Sequence, residues 1–348
     1  MIGYTIFKTV VGGIIISIFA IIFGLLFKGI DRKILAHMQR RVGPPIRQPF
    51  LDVIKLMNKE TIIPENAVKW MFNLAPLLCL ASSIILLLYI PISGLESLQL
   101  HSYGDIILVI YLFIIPALAM VAGGFASGSP FATVGAQREM ITMMSYEFPL
   151  AVVVIGMVWK LWELAEKGII EAKNEAFFTL AFISSNPIWD KVGLLGLIGA
   201  IILLLALVIV TPGEVAKIPF DVAEAETEIA HGLLVEYSGR NLALFYIADS
   251  VKTFAMASLI VALFFPYNIS PLIGNYIELG YFSYVIDFLF FLLKVFFVML
   301  FAVTLVRGGM ARLRITQVVS VYWITVTLIS LIGLVLLMWD KQFYVRWW

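Results

Sequence analysis

One cysteine and three histidines are all that this 348-residue chain offers to soft metals or redox chemistry. Cys79 sits in an apolar stretch and has no second thiol to pair with, so packing is its expected role. His37, His101 and His231 lie far apart, and no C-x-x-C or H-x-x-x-H spacing gathers ligands. No iron-sulfur cluster, nickel or flavin is therefore expected in this chain itself. Phosphate binding has no signature either. Gly123, Gly124, Gly128 and Gly135 are expected in a short loop, but no Gly-Lys-Ser/Thr follows to hold a phosphate. Charge is scarce: 14% of residues, against about a quarter in ordinary soluble domains, with a net +1 that offers nucleic acid no footing.

What the chain has is hydrocarbon. Apolar residues make up 61%, more than a soluble core can hide. They gather in stretches at Ile6 to Phe27, Trp70 to Ile90, Ile106 to Phe125, Tyr146 to Leu161, Val192 to Val210, Leu242 to Phe265, Val285 to Val306 and Val318 to Met338. Most approach the roughly 20 residues a helix needs to cross the bilayer. The expected fold is all-α: a single polytopic membrane domain over residues 1–348, with about eight transmembrane helices. Ile6 to Phe27 is too long for a signal-peptide core and reads as the first span.

Basic residues set the expected orientation. The first loop carries Lys28, Arg32, Lys33, Arg40, Arg41, Arg47, Lys55, Lys59 and Lys69; later odd loops add Arg138, Lys217, Arg240, Arg307, Arg312 and Arg314. Even loops hold only Lys167, Lys173 and Lys191. The positive-inside rule then makes the odd loops, about 28–69, 126–145, 211–241 and 307–317, cytoplasmic and both termini external. In the first loop, Phe50, Val53, Ile54 and Met57 recur at helical spacing, an amphipathic stretch for the lipid surface or a partner.

Buried charge in a membrane protein is costly and points to function. Glu139 and Glu147 stand eight residues apart, roughly on one face of a continuous helix. Low dielectric before Phe148 and Pro149 would let Glu147 carry a proton. Asp221, Glu224, Glu228 and His231 fall on one helical stripe, with Glu226 opposite, and Glu236 follows. Crowded carboxylates cannot all ionise, so some of Asp221, Glu224 and Glu228 are expected to hold protons. Asp249 and Lys252, at i and i+3 in the sixth span, are close enough to form an ion pair and are expected to continue the ion path toward adjacent membrane subunits; Lys294 in the seventh has no obvious local partner.

Five segments in order resemble the complex I membrane subunit known as subunit 1 (the H subunit of bacteria) and its relatives in energy-converting nickel-iron hydrogenases and sulfane-sulfur-reducing membrane complexes. They are Asp31 to Pro44 with Lys59-Glu60, Ser145-Tyr146-Glu147, Asp221 to Glu228, Glu236 to Gly239, and Arg307 to Gln317. The resemblance implies a non-catalytic, ion-translocating subunit at the heel of the complex, which joins a cytoplasmic redox arm to antiporter-like membrane subunits. Iron-sulfur clusters, and nickel-iron in the hydrogenase type, would sit in peripheral hydrogenase-like or quinone-reductase-like partners. By matching position, Arg32, Arg40 and Arg41 would belong to the docking surface, and Glu147, Asp221, Glu224, Glu226, Glu228 and Glu236 to an acidic path. Pro45 stands where complex I commonly has Asn, and Gly135 to Met140 is closer to the hydrogenase type. The leading expectation is thus a hydrogenase-type or sulfane-sulfur-reductase-type subunit. A complex I subunit with a quinone site comes second. A stand-alone transporter comes last, because no internal repeat is found.

Overall fold

Lipid offers the backbone no hydrogen bonds, so long apolar segments must satisfy their own as helices. The computed structural model describes residues 2–100, 102–167, 178–271 and 282–340, which leaves His101 and Lys173 outside the described residues. In chain order the helices are α1 (Ile2–Met38), α2 (Gln48–Met57), α3 (Lys69–Tyr89), α4 (Ile106–Ala126), α5 (Pro130–Glu166), α6 (Leu180–Ser185), α7 (Leu194–Glu214), α8 (Glu226–Ile229), α9 (Gly239–Phe264), α10 (Phe282–Gly309) and α11 (Ile315–Trp339). Among the described residues eight are long and apolar enough to cross a membrane: all but α2, α6 and α8. The protein is a polytopic, all-α membrane protein.

The central element is α9. From Ser250 to Phe264 every side chain is buried, and the helix packs against α1, α3 and α10. Helices α5, α7 and α11 pack on one another beside it. Large apolar side chains such as Leu77, Tyr111, Ile198, Phe301 and Ile332 remain exposed, as a lipid-facing rim requires. Two helices carry widened π turns, Leu300–Thr304 in α10 and Val321–Val326 in α11. Such turns re-aim side chains. They direct Thr304 toward Asp31 and Tyr322 toward Phe220 and Tyr146.

The odd loops meet at one end of the bundle. Val68 N–H donates to Ala126 O at 2.8 Å, Ile62 N–H to Ser238 Oγ at 3.0 Å, and Leu313 N–H to Pro219 O at 3.0 Å. At the opposite end Lys160 lies 3.3 Å from Asp340, whose carboxylate also accepts from Gly193 N–H at 3.0 Å.

Several expectations need correction. The fourth span is no short stretch from Tyr146: α5 starts at Pro130, 37 residues or about 55 Å in all, and absorbs most of the expected 126–145 loop. Its first half escapes a hydropathy reading because its polar side chains face the protein. Thr211 to Glu214 are the last turn of α7. The acidic run is not one helix. It is a 3₁₀ turn at Val222–Glu224, then four-residue α8, then Ala230 and His231 in left-handed conformations (φ 50° and 73°). The chain folds back on itself there: a Cβ on Gly232 would meet Ala223 O at 2.1 Å. Gly135 of α5 admits this knot, since a Cβ on it would lie 2.7 Å from Leu233 N. The apolar face expected on α2 is split as well. Phe50 and Val53 are half-buried, whereas Ile54 and Met57 are exposed beside Leu51, because Asp52 ties the helix inward to Arg32 at 2.9 Å.

Candidate functional site

A cavity of about 850 Å³ opens where α1, α9 and the 215–238 loop converge. Its walls carry a dense set of charged side chains, among them buried Asp31, Glu214 and Lys252. Asp249, three turns into α9, accepts from Lys28 of α1 at 2.7 Å and from Lys217 of the loop at 2.6 and 2.7 Å. Lys28 also rests 3.4 Å above the Tyr246 ring, a second favourable contact for a half-buried ammonium. The expected Asp249–Lys252 pair therefore does not form, because each residue finds a better partner on another element. Lys252 turns to Glu214 at the end of α7, 2.9 Å away, with side chains 5% and 2% exposed.

Beyond that pair lie the two carboxylates of α5. Glu139 is buried, and both Glu139 and Glu147 are within electrostatic range of Lys252 and Glu214. The helix is continuous, as their spacing required. Glu147 Oε1 and the Tyr146 hydroxyl are buried with no hydrogen-bond partner among the described residues.

The acidic run divides into paired and unpaired groups. Arg312 grips Asp221 through two hydrogen bonds, 2.9 and 2.7 Å, and Arg138 holds Glu228 at 2.5 Å. Glu226 sits 3.6 Å from His231, both at the exposed rim. Glu224 alone faces the cavity with no ion pair among the described residues. Burial pushes its carboxyl up to about 7, reinforced by Asp249 and Glu139 and opposed by Lys217 and Lys28. Of the three carboxylates expected to share protons, the geometry leaves this one free to do so. Glu236 is half-buried and outside the cavity wall. Arg40 and Arg41 lie on the exposed loop, while Arg32 is in the wall.

Sequence reading passed over Glu214, Lys217, Lys28 and Asp31 as site residues. Asp31 accepts from Thr304 at 2.7 Å and from Arg307 at 2.9 Å, joining α1 to α10. The available signal was position: Lys28 and Asp31 continue the first apolar span, and Glu214 closes the fifth. Lys294 proves to have partners, the carbonyls of Phe265 and Tyr267 at 2.8 Å each. Among the described residues no three His, Cys, Asp or Glu side chains are grouped to hold a metal.

Residues 11–338 match the family described as NADH dehydrogenase. The chain belongs to the NADH dehydrogenase family. Within it, the H subunit of the NADH-quinone oxidoreductase of Brevibacillus brevis (strain 47) is 30% identical over 331 residues, covering 92% of this chain and 90% of the relative. Its counterpart in Geobacillus sp. (strain WCH70) is 32% identical over 302 residues, covering 84% and 82%. Among solved structures, a chain of the membrane-bound sulfane sulfur reductase, an archaeal respiratory membrane complex, superposes with a TM-score of 0.78 at 27% identity, covering 94% of this chain and 99% of that one. The resemblance carried by the five ordered motifs is thus membership of the NADH dehydrogenase family, and it extends over nearly the whole chain.

Proposed function

We propose that this chain is the membrane subunit of a respiratory complex in which a peripheral redox arm drives ion translocation, of the hydrogenase or sulfane-sulfur-reductase type. The supporting observation is the line of interior charge from Glu224, through the Lys28–Asp249–Lys217 cluster, to Lys252–Glu214 and Glu139. Glu224 is the proton-exchanging group at the cavity, and the ion pairs behind it shift as its charge changes. Asp221 and Glu228, neutralised by arginines, hold the loop in place. Arg40 and Arg41 belong to the surface on which the redox arm docks. The redox centres, iron-sulfur clusters and in the hydrogenase type nickel-iron, reside in that arm, and antiporter-like subunits receive the ion path.

The test is Glu224→Gln in the assembled complex, with ion uptake by inverted vesicles and electron transfer measured in one preparation. Gln keeps shape and hydrogen bonding but carries no titratable proton. Ions moved per electron are expected to fall while electron transfer with soluble donors persists. Glu228→Gln, at the exposed Arg138 pair, is expected to change neither. Equal coupling in wild type and Glu224→Gln would overturn the reading.

A second reading, a complex I subunit with a quinone site, is favoured by the relatives' names and by the apolar side of the cavity, Met120, Leu234, Leu242 and Phe245. Competition by a quinone analogue for electron transfer would select it.

A further inference from the structure

A second cavity, about 350 Å³, lies at the opposite end of α9, between α6, the 91–96 loop and α10. The ion path does not reach it. From Lys252 to Val261 is about 14 Å of helix, buried throughout. The two hydroxyls there, Thr253 and Ser258, donate to their own helix at Asp249 O and Phe254 O.

The lining of this cavity has unspent capacity of two kinds. Lys294 uses two of its three N–H groups on the Phe265 and Tyr267 carbonyls, which stabilises the end of α9 and leaves one donor on an ammonium whose other neighbour is the Phe290 ring, 5.0 Å away. Among the described residues no carboxylate lies within ion-pair distance of it. Asp287 on the same helix has both oxygens occupied by Ser270, at 2.9 and 2.6 Å. Acceptors are also in surplus. Asn268 Oδ1 is buried and unpartnered among the described residues; Ser184 donates to Ala181 O, which leaves its lone pairs open, and Ser185 donates to Phe182 O and accepts from Asn186 Nδ2 at 3.1 Å, which leaves one. Glu96 stands exposed among the lining residues.

A ligand that completes this set brings an anion for Lys294 and hydroxyl donors for Asn268 and the serines. On either side of Lys294 the outward face of α10 carries exposed Leu289, Leu293 and Phe297, a track for hydrocarbon chains. From these features we infer that the cavity binds a polyol phosphate group, presented as the headgroup of an acidic phospholipid. This site is independent of the proposed ion path. Phosphatidylcholine lacks the hydroxyl donors and offsets its phosphate with a fixed cation, so it does not satisfy the same groups.

The assembled complex, stripped of lipid in mild detergent, would be titrated with short-chain phosphatidylglycerol, short-chain phosphatidylcholine and glycerol phosphate, with bound molecules counted by native mass spectrometry. Phosphatidylglycerol is expected to bind at least about tenfold more tightly than phosphatidylcholine, the scale of one charge-assisted hydrogen bond. Lys294→Gln is expected to abolish that preference. Because Lys294 also caps α9, Ser184→Leu provides a second variant that fills the cavity and spares the cap. Saturable binding of glycerol phosphate alone, lost in both variants, would support the polyol-phosphate chemistry with a soluble source in place of lipid. Equal retention of the two lipids, or undiminished phosphatidylglycerol binding in Ser184→Leu, would overturn the inference.

Discussion

Glu224→Gln makes a prediction about stability that needs no redox partner. In the folded chain the Glu224 carboxyl keeps its proton up to about 7, whereas the ordinary value is 4.5. Between those two pH values the folded state binds more protons than the unfolded state, so stability falls as pH rises. The contribution is fully present below 4.5 and gone above about 7. At about 1.4 kcal/mol per pH unit its ceiling is about 3 kcal/mol. Glu224 opens on the cavity and is only half-buried, so solvent screening reduces that to about 1–2 kcal/mol.

Gln does not titrate, and the variant loses this part of the pH dependence. Thermal unfolding of both proteins in the same detergent, at about pH 5 and about pH 8, reads the effect directly. At the higher pH the variant is expected to melt a few degrees above wild type, and at the lower pH the two are expected to coincide. A gap in melting temperature that is the same at both pH values would refute the desolvation of Glu224, and with it the proton-exchanging role proposed for it.

Lys252→Met leaves Glu214 as an unpaired charge in a site 2% exposed and is expected to cost about 3–5 kcal/mol, visible as lost thermal stability. Adding Glu214→Gln removes the stranded charge and is expected to recover most of it; no recovery would mean the pair is not the relevant contact. For orientation, the only native thiol, Cys79, is buried, so tags at Arg40→Cys and Glu226→Cys report cleanly. Both are expected to label from the cytoplasmic side alone, and labelling from outside would reverse the topology.

Hydropathy made the spans legible because apolar side chains dominate the average, whether they face lipid or, as in α9, the interior of the bundle. It failed where a helix turns polar groups toward the protein. The first half of α5 carries Arg138 and Glu139, so it reads as loop, yet Arg138 meets Glu228 and Glu139 is buried facing the Lys252 region. Periodicity failed in the other direction at the acidic run. Asp221, Glu224 and Glu228 have helical spacing, but left-handed Ala230 and His231 and the close approach at Gly232 belong to a folded knot whose shape depends on Gly135, far away in the chain. Pairing was the least legible feature. Asp249 and Lys252 are neighbours on one helix, and nothing local reveals that Lys28, Lys217 and Glu214 arrive from three other places to claim them.

Those arrivals change what the acidic run means. Six cations, Lys28, Arg32, Lys217, Lys252, Arg307 and Arg312, line the large cavity, and six carboxyls, Asp31, Glu214, Asp221, Glu224, Glu226 and Asp249, face them. With every carboxyl ionised and His231 neutral the wall balances. It is therefore no acidic docking face, although the linear sequence presents one. A proton on Glu224 leaves the wall one positive charge in excess, next to Asp249 and its two lysines. In a partly desolvated site that excess is felt over several ångströms, because little solvent screens it. The charge felt most strongly by Glu224 is Asp249, shared between Lys28 on a spanning helix and Lys217 on the loop that also bears Glu224. Behind it, one turn along α9, stands Lys252 with Glu214. On the proposed function, coupling needs no large motion of the bundle. A change of one charge at the loop, imposed by the docked redox arm, is enough to redistribute the ion pairs that lead inward.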